Sequence, residues 1–117
     1  MAMTNKIETV QPAIRTQFLS HGTLGCHDLK KSRQFYEEFL GLETTQTSPI
    51  SLMIRLGTDH VYAVVQIKNK EEMPRHYHNG LDVDTPEEVD RSYQTVLDAA
   101  DKWNLTKISR PVEQHGT

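Results

Sequence analysis

The pattern of apolar and polar positions predicts a β-strand followed by an amphipathic helix. Short apolar positions between Gln17 and Cys26 suit a half-buried strand. Asp28 then stands where a helix N-cap is expected, and the segment LKKSRQFYEEFLG places its apolar residues on one face at helical spacing. Gly41 is suited to end this helix. A strand and a helix over Leu29 to Leu40 are therefore predicted.

Two further strands are predicted before a polar connector. The stretches SLMIRLG and VYAVVQI are joined by a polar turn from Gly57 to His60, which favours a hairpin. Residues 1–16 show neither helical nor strand periodicity and are expected to form a flexible arm. Residues 17–67 are therefore interpreted as one βαβββ module, and residues 68–75 as a Pro-containing connector.

The second half of the chain repeats the first. A shift of 57 residues lays HGTLGCHD on HNGLDVDT, so that His21 meets His78 and the cap position Asp28 meets Thr85. A strand, a cap and a helix that recur in one register with a histidine at the same point indicate an internal duplication. Residues 76–117 are therefore interpreted as the start of a second βαβββ module whose C-terminal strands are missing, with at most one further strand around Lys107 to Arg110.

The second helix has the better marked beginning. Thr85, Pro86 and Glu88 occupy the N-cap, N1 and N3 positions of a capping box, ahead of an apolar stripe. The pattern predicts a helix from Pro86 to Lys102.

Composition narrows the class of function. The chain has 117 residues, 36% of them hydrophobic, which is the size of one ordinary domain. The net charge of -3 and the scattered Lys and Arg residues argue against nucleic acid or an anionic membrane as the partner. A small neutral or weakly anionic ligand fits this charge better. No apolar run approaches the roughly 20 residues of a membrane span, so a cytoplasmic protein is expected. The single cysteine, Cys26, excludes an intrachain disulfide.

The duplication gives the two aligned histidines a possible common role. Corresponding residues of two copies related by an approximate twofold axis approach each other, so His21 and His78 could face one cavity. Neutral imidazoles on rigid strands are suitable ligands for a divalent transition metal. The alternative is that each histidine is a hydrogen-bonded structural residue.

The segments FLSHGTLGCHDLKKSRQFYEEFLGL and HNGLDVDTPEEVD resemble the vicinal oxygen chelate superfamily. This superfamily includes glyoxalase I, extradiol ring-cleaving dioxygenases, and fosfomycin and bleomycin resistance proteins. The resemblance implies an α+β fold in which paired βαβββ modules curl a mixed sheet around a metal-centred cleft, here with an incomplete second module. The motifs are specific for the superfamily but weak for the reaction.

The ligand pattern resembles the extradiol dioxygenases most. These enzymes take one histidine from the first strand of each module, which implies His21 and His78, and a glutamate from the end of the last strand. In glyoxalase-type members the first module also supplies a glutamate, at a place that Gln66 would occupy here. Gln66 is accordingly either a hydrogen-bonded strand residue or a contact in the cleft.

The resemblance implies an enzyme that cleaves a catecholic substrate with O₂ at Fe(II), with Mn(II), Zn(II) or Ni(II) as alternative metals. A glyoxalase-like isomerase or lyase remains an alternative reaction. A metal-free binding protein of the bleomycin-resistance kind is the alternative from a different class. A homodimer is expected, because an incomplete second module exposes sheet edge that invites pairing with another chain.

The other histidines receive smaller roles. Ring-cleaving members keep a further histidine near the metal as an acid or base, which His60 or His76 could supply. His76 could also replace His78 as a ligand if the second strand begins there. His115 matches a loop that borders the cleft in the superfamily, although a histidine near a chain end is usually just solvated.

The third metal ligand is expected outside this sequence. The 57-residue register maps Gln66 beyond Thr117, where the superfamily's final glutamate would lie. We therefore expect the sequence to be part of a longer protein, and this form to bind metal weakly and to be inactive.

Overall fold

The computed structural model of the protein describes residues 11–57, 60–68, 73–74 and 77–113. The chain forms two compact units, residues 1–70 and 71–117. The division between them falls inside the polar segment that the sequence indicates as a connector.

The first unit contains the βαβββ order of elements that the sequence predicts. Its helical part comprises α1 and a π-helical segment, and its four strands form one sheet in the order β1-β4-β3-β2. Strands β1 and β4 are parallel, whereas β4 with β3 and β3 with β2 are antiparallel. The elements are β1 (His21–Cys26), α1 (Leu29–Gln34), the π-helical segment (Phe35–Phe39), β2 (Glu43–Ser48), β3 (Ser51–Arg55) and β4 (Val61–Gln66). The α+β fold with a mixed sheet is therefore confirmed.

The helical part formed by α1 and the π-helical segment begins at the predicted Leu29 and ends at Phe39, one residue before the predicted Leu40. Asp28 is the N-cap, and its Oδ1 accepts a hydrogen bond from Lys31 N at 3.1 Å. Gly41 follows the helical part with a φ of +71°, a left-handed conformation that glycine adopts without a steric penalty. The prediction of one continuous α-helix differs from the structure in its last part, which is π-helical. There Leu40 N donates to Phe35 O at 3.2 Å.

The core lies between α1 and one face of the sheet. Leu52 of β3 and Val64 of β4 are fully buried and paired in register. Leu29 of α1 is buried with them, and Tyr36 and Leu40 pack against this cluster from the helical part. The apolar stripe of the helix therefore covers this sheet face, as its periodicity predicts.

Strand β1 begins four residues later than predicted, at His21 rather than Gln17. Among the described residues its one neighbour in the sheet is β4, whose first residue, Val61, pairs with His21. A strand at a sheet edge has no ladder beyond the end of its neighbour, so the preceding residues remain exposed. Strand β2, the other edge, has the polar sequence ETTQTS, and no apolar alternation marks it.

The second unit contains the predicted helix. Helix α2 (Pro86–Trp103) has Thr85 as its N-cap, and the Thr85 side chain accepts from Glu88 N at 3.1 Å. The helix ends at Asn104, whose φ of 56° is left-handed. The last helical residue, Trp103, lies one position beyond the predicted Lys102, so the helix and the N-cap role of Thr85 are confirmed. The contact of the Glu88 carboxylate is with Arg91, so the return bond of a complete capping box is not observed among the described residues.

The strands predicted for the second unit are not observed. Residues 77–83, at the expected equivalent of β1, have no strand conformation, and neither have residues 107–110. A strand is stable only when a neighbour accepts its backbone hydrogen bonds, and none of the described residues pairs with either segment. Lys107 also has a φ of 56°, which interrupts an extended backbone. Among the described residues, no helix is both long and apolar enough to cross a bilayer.

Candidate functional site

The sheet of the first unit has two faces of different character. Side chains alternate between faces along a strand, so the residues that pack on α1 leave the intervening residues on the opposite side. We call this opposite side the His21 face. Two rows run across it in register: His21, Val61, Arg55 and Glu43 form the first, and Thr23, Ala63, Met53 and Thr45 form the second.

His21 stands at the beginning of β1 and is exposed. Its Nδ1 lies 2.7 Å from Ser20 Oγ, within hydrogen-bond distance in either tautomer. This contact occupies one ring nitrogen and leaves Nε2 as the nitrogen for a ligand. Metal-binding histidines commonly have one nitrogen fixed by a hydrogen bond in this way. The local geometry of His21 therefore fits a metal ligand.

An ion pair closes the first row at the other side of the sheet. Arg55 Nε and Nη2 donate to the same oxygen, Glu43 Oε1, at 2.9 and 2.7 Å. Arg55 and Glu43 are directly opposite each other on β3 and β2, and their side chains are 51% and 66% exposed. An exposed pair of this kind contributes little to stability, so it can rearrange around a ligand at small cost.

The centre of the His21 face is small and apolar. Val61 and Ala63 of β4 and Met53 of β3 are each half-buried and carry no charge. Ala63 lies between Thr23 and Met53 in the second row. The combination of an imidazole, an apolar centre and a charged edge can accommodate a flat apolar ligand with polar groups at its ends.

Gln66 lies on the other face of the sheet. Its partner in the ladder is Cys26, which belongs to the core cluster, and its Oε1 accepts a hydrogen bond from Leu29 N at 2.9 Å. Leu29 N is the first backbone donor of α1 and has no acceptor within the helix, so Gln66 supplies the acceptor for this N–H group. The contacts favour the hydrogen-bonded interpretation of Gln66, and a metal on the His21 face would be out of its reach.

His60 is also directed away from the His21 face. Its ring contacts the ring of Tyr62 with 5.1 Å between the centroids. Tyr62 packs against the core cluster, on the side of the sheet that carries α1. The structure therefore does not bring His60 together with His21, and a role as acid or base beside a metal at His21 lacks geometric support.

The remaining candidate histidines belong to the second unit. His78 is exposed in the segment without strand conformation. His76 and His115 lie outside the described residues. In the part of the chain that the structure describes, no three His, Cys, Asp or Glu side chains form a group that could hold a metal. The convergence of His21 with His78 remains a prediction.

Among the described residues, Tyr36 and Glu37 have shifted pKa values, and both side chains belong to the helical part. Burial raises the pKa of the Tyr36 hydroxyl, and the nearby Cys26 thiol raises it further. Hydrogen bonds from the Thr44 hydroxyl and from Arg33 lower the pKa of the Glu37 carboxyl. These groups link α1 and the π-helical segment to the sheet, so their shifts are structural in origin.

Sequence reasoning did not identify Arg55 and Glu43. The two residues are 12 positions apart, and only the antiparallel register of β2 with β3 places them side by side. The polar sequence of β2 gives no sign of that register. Opposite charges at the outer ends of two consecutive strands are the one available signal.

The βαβββ module places the chain in the α+β class, and comparison with known proteins shows its family. Residues 18–117 match the Glyoxalase/Bleomycin resistance protein/Dioxygenase superfamily, and the chain belongs to it. The extradiol subgroup that the ligand pattern suggests is not distinguished by this match. A search of curated proteins found no match.

Solved structures share the fold. A possible glyoxalase from Bacillus cereus is 21% identical with a TM-score of 0.63, and the match covers 71% of this chain and 74% of that one. A hypothetical protein from S. aureus is 25% identical with a TM-score of 0.56, covering 73% and 70%. A glyoxalase/bleomycin resistance protein/dioxygenase from Nocardioides is 18% identical with a TM-score of 0.59, covering 88% and 72%.

Proposed function

We propose that this protein is a metal-dependent member of the superfamily that binds a catecholic diol, with His21 and His78 as ligands of Fe(II) or Mn(II). The observation that carries the proposal is the geometry of His21. It stands on the sheet face opposite α1, with Nδ1 engaged by Ser20 and Nε2 left for a ligand. Two histidines are part of the donor set of two histidines and one carboxylate that non-haem Fe(II) oxygenases use, which supports extradiol ring cleavage with O₂ as the reaction.

In this proposal, residues of the protein orient the His21 ring and bind the diol. Ser20 fixes the His21 ring, and the apolar centre formed by Val61, Ala63 and Met53 supports the flat face of the diol. His21 and His78 would hold the metal, which would supply a Lewis acid for the oxygens of the diol. Gln66 and His60 have no part in the site, because they lie on the helical side.

A metal-free binding protein is the second candidate. The half-buried apolar centre of the His21 face favours it, because an aromatic ligand could be held there without a metal. Among the described residues, no three His, Cys, Asp or Glu side chains form a group that could hold a metal, which also favours this candidate. In this case the imidazole of His21 would only donate or accept a hydrogen bond.

Metal titration of the full chain distinguishes the two candidates. Calorimetry with Mn(II) under anaerobic conditions measures affinity for the wild type, His21→Ala and His78→Ala. His27→Ala is the matched control, since His27 is an exposed histidine just after the end of the same strand. We expect both ligand variants to lose Mn(II) affinity by about 10-fold or more, as loss of metal-site contacts typically does.

The ring-cleavage assay follows from the same samples. Catechol is offered with Fe(II) and O₂, and the ring-opened product is detected by its absorbance. Equal Mn(II) affinity of wild type and His21→Ala would refute the metal site. Tight binding of catechol without metal, unaffected by chelator, would establish the metal-free binder instead.

A further inference from the structure

The first row of the His21 face places a guanidinium group in line with His21. His21 on β1 pairs with Val61 on β4, and Val61 pairs with Arg55 on β3. Paired residues project to the same side of a sheet, so the side chains of His21 and Arg55 rise on one face with only Val61 between them.

The separation of these groups is set by the sheet. Neighbouring strands lie about 4.8 Å apart, so the Cα atoms of His21 and Arg55 are separated by about 10 Å. An imidazole and a guanidinium that project from these positions leave room between them for one aromatic ring above Val61. Ala63 in the adjacent row is small and does not obstruct this space.

Glu43 leaves part of the guanidinium of Arg55 available. The carboxylate uses one oxygen to accept from Nε and Nη2, which form one edge of the planar group. The end formed by Nη1 and the outer N–H of Nη2 makes no hydrogen bond with the described residues. Two parallel N–H groups at that end match the two oxygens of a carboxylate.

We propose that Arg55 binds a carboxylate of the substrate, so that the compound held at His21 is an aromatic vicinal diol that also carries a carboxylate. This inference rests on the proposed function, which supplies the diol at His21. Glu43 orients the guanidinium and, through its negative charge, weakens the attraction for an anion. The pair therefore selects a carboxylate by geometry more than by net charge.

The test compares two diols that differ by one carboxylate. Catechol and 3,4-dihydroxybenzoate are titrated into the full chain by calorimetry, in the presence of Mn(II). The variants are Arg55→Gln, Arg55→Lys, Glu43→Gln and His21→Ala. Arg33→Gln is the matched control, because Arg33 also forms an exposed ion pair but lies on α1, across the sheet from His21. Circular dichroism checks that each variant is folded.

We expect the wild type to bind 3,4-dihydroxybenzoate about 10- to 100-fold more tightly than catechol, which corresponds to a charge-assisted bidentate contact. The preference should fall to about one in Arg55→Gln and to an intermediate value in Arg55→Lys, which keeps the charge but not the fork. It should rise in Glu43→Gln and stay unchanged in Arg33→Gln.

The outcomes separate the two proposals. Metal-dependent binding of both diols that requires His21, with a preference that Arg55→Gln does not change, would overturn the role of Arg55 and leave the proposed function standing. A preference that requires Arg55 but is insensitive to His21→Ala would retain Arg55 as the carboxylate site and remove the metal site. Absence of binding of both diols to the wild type would overturn both.

Discussion

Replacing Gly22 with alanine tests how β1 is fitted against its neighbour. Gly22 pairs with Tyr62 across the parallel ladder, and the Tyr62 ring lies over the glycine. A Cβ at position 22 would come within 2.7 Å of Tyr62 Cε1 and 3.0 Å of Cδ1. Because ordinary carbon contacts are about 3.5 to 4.0 Å, the ring would have to retreat by about 1 Å. The ring packs against the core cluster, so this movement is resisted.

The expected cost follows from two opposing effects. Overpacking of this size costs about 1 to 3 kcal/mol, whereas replacing glycine in an extended strand recovers about 0.4 to 1 kcal/mol by reducing the freedom of the unfolded chain. The clash therefore dominates, with a net loss of about 1 to 2 kcal/mol. For a cooperative unit of this size the midpoint of thermal unfolding should fall by about 5 to 10 °C.

Urea and thermal unfolding, followed by circular dichroism, measure this effect in a double-mutant cycle. Gly22→Ala, Tyr62→Leu and the double variant are compared with Gly80→Ala, the matched control, because a Cβ at Gly80 meets nothing within 4 Å. The cost of Gly22→Ala should largely disappear in the Tyr62→Leu background. An equal cost in both backgrounds, or a stabilisation of the wild type by Gly22→Ala, would refute the packing argument.

Two further variants test the helical side of the sheet. Gln66→Leu removes the acceptor of Leu29 N and should lower the free energy of unfolding in urea by about 1 to 3 kcal/mol. Gln66→Glu keeps an acceptor and should leave the fold stable. Because Gln66 does not face His21, Gln66→Glu should not raise the affinity for Mn(II) in calorimetry. Since the pKa of Glu37 is lowered in the folded state, its contribution is present above its ordinary pKa of 4.5 and is lost as pH falls through the lower folded value. The difference in melting temperature between wild type and Glu37→Gln should therefore be largest at neutral pH and should vanish in acid, and a difference that grows on acidification would contradict the assigned hydrogen bonds.

The sequence by itself determined the helices and the buried strands. Asp28 and Thr85 cap their helices with their own side chains, and Gly41 ends one of them through a conformation that few other residues tolerate. These effects act within a few residues, so local spacing is enough to predict them. The apolar strands β3 and β4 were likewise predictable, since their buried positions alternate.

Only the tertiary structure decided which residues share a face. The residue Gln66 was placed at a ligand position by analogy, but the pairing of Cys26 with Gln66 turns its side chain towards Leu29, 37 residues away. A shift of one residue in register moves a side chain to the opposite face, and the sequence contains no local signal for that choice. The contact of the His60 ring with Tyr62 is likewise a feature of the folded chain that the sequence does not indicate.

Pairing partners decided the remaining differences. The segment 77–83 repeats the apolar spacing of β1, yet it forms no strand among the described residues, because strand propensity alone does not supply a neighbouring ladder. Strand β2, conversely, has a polar sequence but forms because it pairs with the backbone of β3. The row from His21 through Val61 to Arg55 depends on two such strand pairings at once. The alignment of these residues therefore could not be predicted from the sequence and follows only from the folded sheet.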